Sequence, residues 1–222
     1  MFSIIKIINR TEVIEFDSQK EVINTTQVQS NNINEIKLEI KKYRDTRVYV
    51  TKKIRMGAEA RMNRNNMHSI IILNLYTFTL LIYSILALQY PSSNWIPPVS
   101  LIISVGLFGA SLFISLYGYR EKALAYKMSY LSLTEIETNL DSLYLNDTLD
   151  SQRLLSQFDS IKNKYNEVLS KTENHHDIDY IMYQYSANNS FVSKYRHYLI
   201  KSFLILFFLY SLPLVGIVFY FI

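Results

Sequence analysis

The chain has no cysteine, so neither a disulfide nor a thiolate-held metal can contribute to it. That suits a reducing cytoplasm. Glycine and proline are scarce, at five and four of 222 residues, which excludes a glycine-rich phosphate loop and leaves few chain breaks. The start of the chain does not read as a secretory signal. Its apolar core over residues 1–8 is short, Lys6 interrupts it, and no small-residue cleavage site follows. Charge is missing in blocks: neither residues 65–119 nor residues 202–222 contain Asp, Glu, Lys or Arg.

These uncharged blocks bound everything else. About 20 apolar residues cross a hydrocarbon core of roughly 30 Å. The first block is long enough to cross twice and breaks at the turn Gln89-Tyr90-Pro91-Ser92-Ser93-Asn94-Trp95. Residues 67–119 are therefore expected to be a transmembrane hairpin, and residues 198–222 a third transmembrane helix. The remainder suffices for at most one modest soluble domain. Residues 31–64 are strongly basic, Arg120, Lys122 and Lys127 follow the second span, and Lys194, Arg196 and Lys201 precede the last. The turn carries no charge. The positive-inside rule then places the N-terminus and the central insert in the cytoplasm and the C-terminus at the outer face. Tyr90 and Trp95 fall at the outer interface.

Residues 1–30 form an N-terminal extension. Two apolar, β-branched runs, 4–8 and 13–16, flank Asn9-Arg10-Thr11. They are compatible with a short β-hairpin, marginal on its own, followed by a linker. From Ile33 the period changes. Ile33, Ile36, Ile40, Tyr43, Arg47, Val50, Ile54 and Gly57 recur at alternating gaps of three and four, the seam of a helix packed on another helix. Residues 31–66 are expected to be a basic juxtamembrane helix lying on the central insert, with a self-associating coiled coil as the alternative. The insert, 120–197, reads as a cytoplasmic helical bundle. Asn146-Asp147-Thr148 breaks it, with Asp147 or Thr148 as the next N-cap. Leu154, Phe158, Ile161, Tyr165 and Val168 then share one helical face. Two short helices, near 178–187 and 190–201, lead to the final run. The expected fold class is an all-α membrane protein: hairpin, third span, cytoplasmic bundle and the short N-terminal β-hairpin.

No catalytic constellation emerges, and no enzyme activity, cofactor or metal is expected. His175 and His176 stand beside Asp177 and Asp179, but adjacent histidines cannot face one ion from a regular helix, so a helix start with solvated charges is the better reading. His68 and His197 fall at span ends. The basic flank Lys52, Lys53, Arg55, Arg61 and Arg64 is expected to face anionic lipid, which attracts each such charge by about 1 kcal/mol. Nucleic-acid binding is not needed to explain it. Within the spans, Asn74, Thr77, Leu81, Ser84 and Leu88 share one face, and Ser104, Ser111, Ser115 and Gly118 another. Gly106 and Ala110 lie nearby in small-xxx-small spacing. Such stripes let helices pack closely, or line a path once several copies gather. The final run, with Phe203, Phe207, Phe208, Phe219 and Phe221, looks like a lipid-facing anchor.

The arrangement resembles a known family. Ile54-Arg55-Met56-Gly57-Ala58-Glu59-Ala60-Arg61-Met62 leads into the hairpin. Tyr165-Asn166-Glu167-Val168-Leu169 and then Glu173-Asn174-His175 with Asp179-Tyr180 follow it. Over about residues 35–200 this is similar to the SLATT family of bacterial two-span effector domains, in particular the subgroup found beside reverse transcriptases. The resemblance implies a role in anti-phage defence by abortive infection, in the bacterial inner membrane, as a homo-oligomer that forms pores. It implies a separate sensor, such as a nucleotidyltransferase or a reverse transcriptase, as partner. It makes Asn174, His175, Asp179 and Tyr180 the family element, expected to cap and orient the cytoplasmic helices. A membrane-anchored scaffold that recruits a cytosolic enzyme is the competing reading.

Overall fold

The computed structural model describes residues 31–89, 96–174, 176–189 and 191–221. The β-hairpin expected over 1–30 and the tip residues Tyr90 and Trp95 lie outside the described residues. Among the described residues every element is a helix. The first, α1, runs Asn31–Gln89 and contains one π-helical turn, Arg44–Val48. It is followed by α2, Ile96–Tyr117, and α3, Tyr119–Leu145. Then come α4, Ser151–Ser170, α5, Asp177–Asn188, and α6, Val192–Phe221.

The π turn explains where the predicted seam succeeds and where it slips. Ile36, Ile40 and Val48 are buried and Ile33 and Tyr43 pack beside them, but Arg47 is exposed. A π turn holds one more residue than an α turn. The seam therefore steps from Tyr43 to Val48 and resumes its gaps of three and four at Thr51, Arg55, Ala58 and Met62. Gly57 lies inside α1 without ending it. Helix α4 begins elsewhere than expected. Its N-cap is Asp150, whose carboxylate accepts from the Arg153 N–H, while Asp147 pairs with Lys37 and Thr148 donates to the Asn146 side chain.

The chain divides into two compact units. The first takes its helical residues from the start of α1, up to Thr51, and from Ser132–Lys171. The second holds Lys52–Leu131 and the residues from Thr172 onward. Residues 120–197 are divided between the two units. The first unit is a three-helix assembly whose core joins Ile40 and Val48 of α1 to Leu133 and Leu140 of α3 and Leu154 and Phe158 of α4. Tyr43 sits edge-on to Phe158 and Tyr165, at centroid distances of 5.6 Å to each. Burial, helped by Tyr165 and opposed by Arg47, pushes the Tyr43 hydroxyl up to about 12. The rim carries Lys37–Asp147, Arg44–Asp141 and Lys162–Glu39 pairs, and the Thr51 and Tyr165 hydroxyls bond at 2.9 Å.

The second unit contains the uncharged hairpin. Thr79, Tyr83 and Leu86 are the buried face of α1 there, and Tyr83 and Leu86 pack with Ile103 of α2. Leu101, Ile102, Val105 and Phe108 of α2 are exposed. A single residue separates α2 from α3. Gly118 has φ of +65°, a left-handed conformation that a β-carbon disfavours, and an added Cβ would meet the Glu121 carboxylate at 3.2 Å. It stands at the break between the two helices.

Candidate functional site

Just outside the uncharged spans, the second unit buries an ion pair. Arg61 of α1 is 7% exposed and Asp179, in the first turn of α5, is 1% exposed. Arg61 Nε donates to Asp179 Oδ1 at 2.7 Å and Nη2 donates to Oδ2 at 2.9 Å, a bidentate fork. Asp179 Oδ2 also accepts the His176 backbone N–H at 3.1 Å. That contact uses the third position of α5 to satisfy an N-terminal amide, half of a capping box. Burial alone would lower the Arg61 pKa, but the Asp179 hydrogen bonds and charge outweigh it and hold the guanidinium above its ordinary value.

Aromatic and polar groups close around the pair. Tyr126 of α3 packs with Ala58 and Met62 of α1, and its hydroxyl donates to the Asn174 carbonyl at 3.2 Å. Burial, with Asp179 second, raises the Tyr126 pKa, so its hydroxyl stays neutral. At the rim Lys122 reaches Glu173 at 3.2 Å and lies 4.4 Å from the Tyr117 ring centroid. Six residues nearer the N-terminus of α1, Arg55 is 2% exposed and donates to the Ser129 hydroxyl. Two turns nearer the spans, His68 Nδ1 lies 3.1 Å from the Tyr210 hydroxyl of α6. The set fastens α3, Asn174, α5 and α6 to α1. It offers a permanently charged guanidinium and a neutral phenol, which position helices rather than exchange protons.

The residues singled out from the sequence divide. Of the family element, Asn174 and Asp179 enter this cluster, Tyr180 is exposed and accepts from Gln184 at 3.0 Å, and His175 lies outside the described residues. The basic flank does not act as one surface. Lys53 and Arg64 are exposed and Lys52 half-buried, but Arg55 and Arg61 do not face lipid, because each is turned inward to a buried partner. Asn74, Thr77, Leu81, Ser84 and Leu88 are all exposed, opposite the buried Thr79, Tyr83 and Leu86 face. Asn74, Thr77 and Ser84 each donate to the carbonyl four residues back, at 3.0, 2.8 and 2.9 Å. Ser104 and Ser111 donate to carbonyls three residues back and are half-buried, and Ser115 is exposed. Tyr126, Ser129, Glu173 as a partner of Lys122, and Tyr210 were not singled out by sequence. The one available signal was the spacing of His176 and Asp179, an N-cap and its third helical residue.

Two helices long and apolar enough to cross a membrane follow one another in a chain whose described residues form helices alone, the pattern of a small helical membrane protein. The apolar windows of these helices are 17% and 0% buried, so the chain itself does not cover them. The chain belongs to the SMODS and SLOG-associating 2TM effector domain family 5, whose model matches residues 37–222. This is a family of membrane effector domains of defence systems. No curated protein and no solved structure matches the chain.

Proposed function

We propose that the protein is the membrane effector of a bacterial anti-phage, abortive-infection system. In this reading copies assemble in the inner membrane, with the basic helices in the cytoplasm, and form or gate a pore when a separate sensor protein signals infection. The observation that carries it is the Asn74–Thr77–Ser84 face, which lies in an uncharged span and is left exposed among the described residues. A face of weakly polar groups without fixed charge suits a non-selective path shared among copies. The Arg61–Asp179 clamp holds α5 against α1 in the resting arrangement, and a sensor that binds the released arrangement more tightly shifts the population toward it.

The test is infection of cells carrying the effector and its sensor, read by loss of membrane potential and entry of an impermeant dye. Thr77→Phe and Ser84→Phe are expected to abolish both while protein levels persist. If both variants still permeabilise, the face does not line the path. If an unrelated two-span anchor in place of residues 67–119 preserves protection, the protein is a scaffold that recruits a cytosolic defence enzyme.

A further inference from the structure

The seam between α1 and α3 has two sides. Arg55 bonds to Ser129, and Ala58 and Met62 pack with Ala123 and Tyr126, so the helices run antiparallel with Arg64 level with Arg120. Arg61 and Lys122 leave this seam toward Asp179 and Glu173, which take up both charges. Two residues along a helix turn about 200°, so Glu59 and Asn63 of α1 and Arg120 and Leu124 of α3 leave it on the far side. With Ala123 and Lys127 they line a groove of about 250 Å³. Arg120 and Lys127 are exposed, and among the described residues neither is paired with a carboxylate. Glu59 is half-buried, and its Oε1 accepts from Asn63 Nδ2 at 2.5 Å, which ties the carboxylate back along its own helix. The groove therefore presents two open cations against one engaged carboxylate.

Arg64 and Arg120 close the uncharged block on the two helices, so the groove opens where hydrocarbon gives way to headgroups. That layer is about 5–8 Å deep on each side of a bilayer. The Lys127 backbone stands about 10 Å beyond that of Arg120. Side chains lean toward the N-terminus of their own helix, which in α3 is toward the spans, so the long Lys127 chain leans back to the level of Arg120. A volume of about 250 Å³ is smaller than the roughly 300–1,000 Å³ pocket of a drug-sized ligand, so the groove takes a headgroup and not a whole lipid. We propose that it binds the headgroup of an anionic phospholipid of the phosphatidylglycerol type. Arg120 and Lys127 donate to the phosphate, and the glycerol hydroxyls donate to Glu59. A built site of this kind differs from the diffuse pull of an anionic surface on basic residues, which weakens with distance from the membrane. Under diffuse attraction Arg64, at the edge, outranks Lys127. The groove reverses that order.

The test titrates the full chain in mild detergent with phosphatidylglycerol and reads the lipid-bound fraction by native mass spectrometry. Lys127→Gln is expected to weaken the first binding event at least fivefold, Arg64→Gln less than twofold, and Arg120→Gln/Lys127→Gln at least tenfold. Phosphatidylethanolamine offers Glu59 an ammonium but carries no net charge, and should bind at least tenfold more weakly. Glycerol 3-phosphate, the same chemistry without acyl chains, should not displace the lipid at equal concentration. An Arg64→Gln loss as large as that of Lys127→Gln overturns the proposal in favour of diffuse attraction, and so does a double variant that binds within twofold of the native chain. Equal binding of phosphatidylethanolamine overturns the anionic headgroup, and displacement by glycerol 3-phosphate overturns a lipid in favour of a soluble phosphate. All three substituted side chains are exposed. Unchanged helicity and melting temperature of each variant keep misfolding from passing as lost binding.

Discussion

The Arg61–Asp179 pair permits a quantitative test of what holds α5 to α1. Asp179→Leu leaves the Arg61 guanidinium at 7% exposure without its counter-charge, and breaking a buried pair costs about 3–5 kcal/mol. It also removes the acceptor of the His176 N–H, a capping loss of about 1 kcal/mol. Arg61→Met breaks the same pair and spares the cap, so it should cost about 1 kcal/mol less. The double variant Arg61→Met/Asp179→Leu replaces the fork with apolar groups that can pack, and such replacements are often near neutral. The cycle should therefore show a coupling of about 3 kcal/mol or more. Thermal unfolding in mild detergent, followed by circular dichroism, reads each corner. At roughly 2–4 °C per kcal/mol for a chain of this size, Arg61→Met should lose about 6–20 °C, Asp179→Leu about 8–24 °C, and the double variant much less. A loss below about 2 °C for Asp179→Leu, or single losses that simply add in the double variant, would refute the clamp.

Three further outcomes follow from particular residues. Deleting exposed Thr46 from the π turn should cost less than about 1 kcal/mol, because Tyr43 and Val48 then sit four apart on a regular helix; inserting Ala there turns the seam by about 100° and should lose the first unit's cooperative melt. Gly118→Ala should cost about 1–2 kcal/mol for its left-handed backbone, whereas Gly57→Ala, with no atom within 4 Å of the added Cβ, should stabilise by about 0.5–1 kcal/mol; a shared sign in the melting shifts would contradict this. Tyr43 has its pKa raised on folding, so its contribution is complete below pH 10 and fades as pH rises toward about 12. Tyr43→Phe keeps the ring contacts and should flatten that part of the stability-against-pH curve, and an unchanged slope between pH 10 and 12 would count against it.

Which features were legible from sequence depends on how locally each is encoded. The uncharged runs and the Ile33–Ile36–Ile40–Tyr43 seam need only composition and period, and among the described residues both lie in helices. The seam failed at Arg47 because a π turn has no composition of its own; a five-residue step appears only when both sides are packed. Asp147, Thr148 and Asp150 are all good caps, and the choice falls to whichever precedes the first turn that can bury Leu154. Arg61 looked like its basic neighbours because its partner is 118 residues away. Burial turned two members of that basic run inward and left Lys53 and Arg64 outside, a division no charge count contains. The final run carries the same lesson further. Its length says that residues 202–222 can cross a bilayer, and length is all that composition measures. It does not say which part of α1 the run stands beside. That is set by Asp179 on Arg61 below and Tyr210 on His68 above, two contacts between segments more than a hundred residues apart.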